Sequence, residues 1–202
     1  MKRMLWMSLI VLVLSTLALA SSTVEFTNTG GTLTGSSAGL SLSGSSLAEV
    51  RNLGGPGELV GNMGSVAFST GSLRSGNMQS GVTIFNGGGS FTISGDGAQG
   101  VPSGTIFHGT FSGPVTFTAS RTANGTLFYT MEAVISGTWF DGTKYSARIV
   151  EITRAGQFQN GSIALKEGST ECKTVVPEPG TLALLGTGLV GLAGALRMKR
   201  KA

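Results

Sequence analysis

The sequence predicts an all-β fold: a single antiparallel β-sandwich or barrel-like meander domain, flanked by an N-terminal signal-peptide helix and a C-terminal transmembrane helix. Three observations predict it. Short β-prone runs recur between turn residues along the middle of the chain. Several of these runs alternate apolar and polar residues, the pattern of a half-buried strand. Both ends of the chain carry uncharged apolar stretches beside positive charges.

The first twenty residues have the three parts of a secretory signal peptide. Lys2–Arg3 forms the positive n-region, and an apolar run follows over residues 4–17. Ala18 and Ala20 then supply small residues at the −3 and −1 positions, so cleavage is expected before Ser21. The pattern predicts transport by the general secretion machinery and removal of the peptide by signal peptidase. An uncleaved signal anchor is the alternative.

The basic charge of the chain belongs to its ends. The formal charge is +4, but six positive charges lie in the two terminal segments, which leaves −2 between Ser21 and Leu196. No nucleic-acid partner is therefore expected. Cys172 is the single cysteine, so an intramolecular disulfide is impossible. Its thiol is open to an intermolecular disulfide, to lipidation or to no role at all.

The sequence pattern of residues 115–165 predicts a four-stranded antiparallel meander. The turn dipeptides Asn124-Gly125, Asp141-Gly142 and Asn160-Gly161 divide this stretch into strand-length runs. The run VTFTAS alternates strictly, as a half-buried strand does. Asn-Gly and Asp-Gly favour the positive φ angles of type I′ turns, so such turns are expected between the strands.

The first third of the domain is rich in Gly and Ser, a composition that is also typical of a flexible linker. A linker is therefore the alternative to strands in this region. We favour short strands, because five large aliphatic side chains recur there, too many for a linker. These residues are Leu33, Leu40, Leu42, Leu47 and Val50. Residues 54–57 (GGPG) are expected to form a loop.

Few residues suggest catalysis, and we assign no catalytic residue, no metal site and no cofactor. His108, the single histidine, is expected to share a strand face with Ile106 and Thr110 and to be an ordinary strand residue. Glu132 and Glu151 lie on strands predicted to pair, so they could approach each other as the two carboxylates of a glycosidase do. The alternative places both on a solvated face beside arginines.

Aromatic residues flank the Asp141-Gly142 turn. Trp139 and Tyr145 are candidates for stacking on sugar rings, with Phe140 beside them. Cross-strand aromatic pairs also staple hairpins without binding anything, which is the alternative here. An exported carbohydrate-binding module or carbohydrate-active enzyme is therefore the second functional interpretation of the domain.

The C-terminal 28 residues (175–202) have three parts. Pro177, Glu178 and Pro179 come first, and proline disfavours helix in the residue before it, so this motif is expected to be extended. The 18 residues from Pro179 to Leu196 carry no charge. A helix of that length spans about 27 Å, close to a bilayer core, so a transmembrane helix is predicted at about 180–196. A basic tail follows, with Arg197, Lys199, Arg200 and Lys201.

The basic tail acts as a stop-transfer signal and stays in the cytoplasm by the positive-inside rule. The signal peptide has already placed the domain at residues 21–174 outside the inner membrane. Both signals therefore predict one orientation.

The order Pro-Glu-Pro, apolar helix and Arg/Lys cluster resembles the PEP-CTERM sorting signal of Gram-negative-type bacteria. The matching segments are VPEPGT, LALLGTGLVGLAGALR and MKRK. The resemblance implies recognition by exosortase, a multi-pass membrane transpeptidase-like enzyme, with cleavage near the motif and transfer to a surface acceptor. Proteins with this signal typically accompany exopolysaccharide and biofilm. We therefore expect a non-enzymatic surface or matrix protein with a structural or adhesive role, its precursor held in the membrane.

Overall fold

The structure, a computed structural model, describes residues 23–53, 57–154, 156–158 and 161–174 of the 202-residue chain. The signal peptide, the GGPG loop except Gly57, the sorting motif, the C-terminal apolar run and the basic tail lie outside these ranges. Within them, no helix is long and apolar enough to cross a membrane. A single short 3₁₀ turn occurs in the described ranges, at Ala98–Gly100.

The described part of the chain contains thirteen strands, and their pairing is antiparallel throughout. The strands are β1 Thr23–Thr29, β2 Thr32–Ser36, β3 Gly39–Arg51, β4 Glu58–Val60, β5 Gly64–Ser69, β6 Leu73–Asn77, β7 Ser80–Phe85, β8 Gly88–Asp96, β9 Ser103–Phe111, β10 Val115–Arg121, β11 Leu127–Trp139, β12 Lys144–Thr153 and β13 Ser162–Thr174.

Eight of the strands close into a barrel. The ring runs β1, β3, β5, β8, β9, β11, β12, β13 and back to β1. The predicted all-β fold is therefore confirmed, as the barrel-like form of the two alternatives. Closure removes the unpaired edges that the eight strands would expose as an open sheet, and edges remain outside the ring, at β4 and β6.

β1 and β2 together form one continuous line of pairing with β13. Against β13, Thr29 pairs with Glu167 and Thr32 with Ala164, so β1 and β2 keep a single register. Gly30 and Gly31 interrupt the ladder with φ angles of 69° and 87°. Such left-handed conformations are accessible to glycine at little cost, so the glycine pair bends the strand without breaking its register.

Three more strands extend the wall. The first half of the long β11 pairs with β10 and its second half with β9, so the sheet divides along β11. β10 continues to β7 and β7 to β6. We call the end of the barrel where β1 begins and β13 ends the tail end, and the opposite end, with this extension, the far end.

Alternation of apolar and polar residues puts one face of most strands inside, whereas β4 and β6 have no buried residue. The aliphatic residues of the first third are almost fully buried, which confirms the prediction of strands over a linker. Their exposed fractions are 0–2%, for Leu33, Leu40, Leu42, Leu47 and Val50. Burying one such side chain contributes about 1.5–3 kcal/mol.

Buried aromatic rings form two clusters, one beside the extension strand β10 and one inside the barrel ring. One cluster holds Phe117, Tyr129 and Phe158, with the first two rings stacked at 5.1 Å and the third meeting both edge-on. The other lies in the barrel ring itself and ends at Trp139, which contacts Phe26 and Phe107. Offset-stacked and edge-on ring pairs add to the stability that burial gives.

The four-stranded meander is confirmed as β10 to β13, but two of its three predicted turns are not of type I′, and Asn160 of the third lies outside the described residues. Asn124 and Asp141 lack the positive φ that a type I′ turn needs, whereas Gly125 and Gly142 have φ of 83° and 87°. In each turn the glycine N–H donates to the carbonyl three residues earlier, Thr122 and Trp139. This is a type I turn closed by a left-handed glycine. The dipeptides located the turns, because glycine still supplies the positive φ.

Candidate functional site: the tail end and the barrel interior

The C-terminal segment is connected to the barrel at the tail end. β13 pairs to its last residue, with Thr174 opposite Tyr145 on β12. On its other side, Lys173 pairs with Thr23, the first residue of β1. The segment that begins at residue 175 therefore leaves directly from a paired strand, beside the start of the domain.

The hairpin between β11 and β12 also points out of the tail end. Trp139 is only 6% exposed and packs on Phe26, Phe107 and Tyr145, whose ring centre lies 5.2 Å away. Phe140, next in the chain, is 56% exposed. Since its ring is covered by protein, Trp139 cannot stack on a sugar, and the arrangement matches the hairpin-staple alternative. Tyr145 is half-buried against the same ring.

Asp141 holds the shape of this turn. Its Oδ1 accepts a hydrogen bond from the backbone N–H of Thr143 at 2.8 Å. Hydrogen bonding to the ionised form lowers the pKa of the Asp141 carboxyl below its ordinary value. The exposed Phe140 is therefore presented by a defined turn.

Cys172 faces the barrel interior two residues before β13 ends. It pairs with Val24 on one side and Ala147 on the other and is fully buried. Burial raises the pKa of its thiol to about 12, so the reactive thiolate is scarce. Disulfide formation and lipidation both need an accessible thiol, so the folded barrel favours the alternative without such a role.

The two glutamates considered as a catalytic pair lie on opposite faces of the sheet. Glu151 pairs with Met131 and is 1% exposed, inside the barrel. Glu132 points outward, where it meets Arg148 at 3.4 Å across a largely exposed ion pair. Glu151 lies opposite Met131, the residue before Glu132, and not opposite Glu132 itself. Because neighbouring residues on a strand face opposite sides of the sheet, the two carboxylates lie on opposite faces. The two glutamates therefore do not approach each other, and the alternative of a solvated face beside arginines holds for Glu132 but not for the buried Glu151.

His108 is an exposed residue of β9, as expected, but it does not share a face with Ile106. Ile106 and Phe107 are both buried, because β9 bulges there: Ile93 pairs with Phe107 and Ser94 with Thr105, which leaves Ile106 as the extra residue. A bulge reverses the alternation on one side of itself.

A polar group inside the barrel was not anticipated from the sequence. Asn28 Nδ2 donates to Ser45 Oγ at 2.9 Å and to Glu151 Oε2 at 3.1 Å. Ser45 Oγ donates in turn to the backbone carbonyl of Thr29 at 3.2 Å. All three side chains are at most 1% exposed. The amide oxygen of Asn28 and the other carboxyl oxygen of Glu151, Oε1, find no partner in the described residues.

Gly168 makes room for this contact. It lies between the other two residues, paired with Glu151 on β12 and with Asn28 on β1. A Cβ on Gly168 would overlap the carboxyl group of Glu151. The missing side chain therefore lets Glu151 reach across β13 to Asn28, and the link ties together three neighbouring strands.

Burial decides the charge of Glu151. Desolvation raises the pKa of its carboxyl from 4.5 to about 8, although the hydrogen bond from Asn28 opposes the shift. The group is therefore mostly protonated at neutral pH, and the interior carries a neutral acid. It has no second carboxylate beside it, and no group of three or more metal-ligating side chains occurs in the described residues. The arrangement supports cohesion of the barrel better than acid–base catalysis.

The comparison with protein families assigns the C-terminal segment. Residues 175–201 match the family model of the PEP-CTERM protein-sorting motif. Neither the curated proteins nor the solved structures contain a significant match to the chain. The suspected sorting signal is thus confirmed, and it begins one residue after β13 ends. A motif of this kind implies export, a membrane-anchored precursor and processing by an exosortase.

Replacement of Glu151 by glutamine tests the neutral interior acid. Because the folded pKa lies above the unfolded value, the unfolded chain releases its proton first as pH rises. The contribution of Glu151 to the free energy of unfolding should then fall by about 1.4 kcal/mol per pH unit between pH 4.5 and 8, and level off outside that window. Glu151→Gln should flatten this fall, as measured by urea unfolding across the range.

Glu132→Gln is the matched control, because Glu132 is exposed on the neighbouring strand. It should leave the pH dependence almost unchanged. A slope that persists in Glu151→Gln would show that other groups titrate in this window.

Proposed function

Because the chain carries a PEP-CTERM protein-sorting motif, we propose that it is a structural or adhesive protein of the cell surface or exopolysaccharide matrix, with the barrel as the cargo that an exosortase delivers. The observation that carries the proposal is the direct connection of the motif to the barrel: β13 is paired to Thr174, and the matched segment begins at residue 175. An enzyme that acts at Pro177–Pro179 therefore acts on a peptide that is attached directly to a compact domain.

The three-part tail supports the sorting step physically. The uncharged run from Pro179 to Leu196 is long enough to span the inner membrane as a helix, and the basic residues after it resist transfer. The Pro-Glu-Pro motif then lies at the outer face of the membrane. Prolines hold a peptide extended, which suits a processing enzyme that needs an open substrate.

The two sides of the barrel differ in charge. Charged residues collect outside β12, β13, β1 and the end of β3, where one row of cross-strand neighbours places two glutamates between two arginines. The row contains Arg148, Glu171, Glu25 and Arg51. On this wall Arg51 meets Glu25 at 3.7 Å and Arg148 meets Glu132 at 3.4 Å. Exposed ion pairs of this kind add little stability, but the charged groups favour contact with water.

The opposite wall, formed by β5, β8, β9 and the end of β11, is rich in hydroxyl groups on its outer face. We call it the hydroxyl wall. Its outward residues follow the strand pairing in rows: Ser65, Ser94 and Thr105; Ser69 and Ser90; Thr92, His108 and Thr138; Thr110 and Ser136. Apart from His108, these residues have no ionisable side chain. A broad neutral surface of donors and acceptors suits a hydroxylated polysaccharide better than a charged partner.

The alternative of a carbohydrate-active enzyme or aromatic binding module gains no support from the geometry. It required a groove lined by a carboxylate pair or by Trp139. The carboxylates lie on opposite sides of the sheet, and the indole is covered. We therefore put forward no second function.

Replacing Pro177, Glu178 and Pro179 together by alanine tests the sorting step. In the native host, the variant should accumulate as a membrane-bound precursor of unchanged mass and should be lost from the surface fraction. Fractionation with mass spectrometry measures both. Processing and surface location equal to those of the native chain would contradict the sorting proposal.

A charge placed on the hydroxyl wall tests the adhesive step. Thr110→Glu should abolish retention of the domain at residues 21–174 on the exopolysaccharide of its host, because a carboxylate must lose hydration to fit against a neutral glycan. Thr34→Glu, at an exposed position on the opposite side, is the matched control. Retention is measured by co-sedimentation. Equal losses in both variants, or none in either, would contradict a specific role for this wall.

A further inference from the structure

The tail end of the barrel has a surface feature that neither sorting nor polysaccharide binding uses. Phe140 is one of four large apolar side chains that stand exposed in the described residues. It occupies the tip of the β11–β12 hairpin, beyond the pair formed by Tyr145 and Thr174. The hairpin therefore projects from the end of the barrel at which β13 ends, and its second strand, β12, pairs directly with β13.

The connection to the apolar run is short compared with the barrel. Five residues separate Thr174 from the end of the Pro-Glu-Pro motif at Pro179, which reach at most about 17 Å when extended. The thirteen residues of β13 extend over about 43 Å. When the run from Pro179 to Leu196 spans the bilayer, the tail end of the barrel stays close to its surface while the far end points away.

The opposite end of β11 offers a comparison. There the same type of turn contains Ala123 at the position that Phe140 occupies in the tail-end turn, and both residues are exposed. The two turns share their closing hydrogen bonds and differ in the side chain at the tip. The Phe140 ring rests against Trp139 with ring centres 5.7 Å apart, yet it stays 56% exposed. An apolar aromatic ring therefore occurs at the end that the tether brings to the membrane and is absent from the matching position at the other end.

The chemistry of the hairpin fits a lipid headgroup region. Phenylalanine side chains insert at the boundary between headgroups and acyl chains in peripheral membrane segments. Asp141 and Lys144 beside Phe140 keep exposed charges of both signs that suit the polar zone above it. Burying one phenyl ring contributes about 1.5–3 kcal/mol, too little to hold a free domain on a bilayer. The tether supplies a high effective concentration, which makes such a weak contact persistent.

We propose that the tail end of the barrel faces the lipid bilayer in the membrane-anchored precursor, with Phe140 inserted among the headgroups and the far end directed outward. This inference rests on the proposed function, since it requires the C-terminal run to anchor the chain. It gives the precursor a fixed orientation in which the motif lies between the barrel and the membrane.

Site-directed fluorescence quenching tests the orientation. The chain from Ser21 to Ala202 is reconstituted into vesicles of phosphatidylethanolamine and phosphatidylglycerol that contain headgroup-quencher lipids. An environment-sensitive thiol dye is attached at Phe140→Cys or, as matched control, at Ala123→Cys. Cys172 is buried and stays unlabelled while the barrel is folded. The dye at position 140 should be quenched severalfold more strongly than the dye at position 123.

A second measurement isolates the contribution of the ring. With the dye at Lys144→Cys, the change Phe140→Ser should reduce quenching, and Ala123→Ser should leave it unaltered. Both serine changes lie at exposed turn positions. Equal quenching in the Phe140→Ser and native backgrounds would overturn the role of Phe140 as a membrane contact.

The outcomes separate this inference from the function on which it rests. Failure of the chain to float with the vesicles would overturn membrane anchoring itself. Flotation with equal quenching at positions 140 and 123 would leave anchoring intact and overturn the orientation. Protection of position 140 from a water-soluble thiol reagent only after exosortase is added would also overturn it, because the enzyme would then cover this end.

Discussion

Closure of the barrel by its last strand is the constraint on which the rest of the structure depends. β13 pairs with β12 on one side and with β1 and β2 on the other, along almost its whole length. Without it, the ring would open between the first and last strands and expose two long edges. The same strand carries the sorting segment, so the domain is closed by the residues that connect it to its processing signal. Closure also places both ends of the domain at the tail end.

The polar contact inside the barrel reinforces this closure. Glu151, Gly168 and Asn28 occupy neighbouring positions on β12, β13 and β1, and the glutamate reaches over the glycine to the asparagine. A buried carboxyl is costly when ionised, and protonation avoids most of that cost. The contact spans the strand that closes the ring, which links the register of three strands through one hydrogen bond. A large aliphatic residue at position 151 would fill space but would lack this directional link.

Much of the fold could be predicted from the sequence, because alternation and turn dipeptides act locally. They located β10 to β13 and the buried leucines of the first third. Ring closure pairs the first strand with the last, and no local pattern encodes a pairing at that separation. The turn type was wrong because Asn-Gly and Asp-Gly also suit a type I turn in which glycine alone has positive φ. The face of His108 was wrong because a bulge at Ile106 shifts the alternation.

The candidate site was likewise predictable from the sequence only in part. The sorting motif was found because its three parts are contiguous in the sequence. The interior group had a local signal that was overlooked: Val24, Phe26 and Asn28 alternate on one face of β1, as Ile149 and Glu151 do on β12. A polar residue in an apolar row marks a buried polar side chain. Its partner, however, is set by ring closure, which local patterns do not give.

Amide hydrogen exchange on the full chain in detergent tests the closing role of β13 most directly. If β13 closes the ring, its amides should exchange as slowly as those of β11 and β12, at rates set by unfolding of the whole barrel. Slow exchange in β11 and β12 with exchange orders of magnitude faster in β13 and β1 would show that the ring opens between its first and last strands, and would contradict the account.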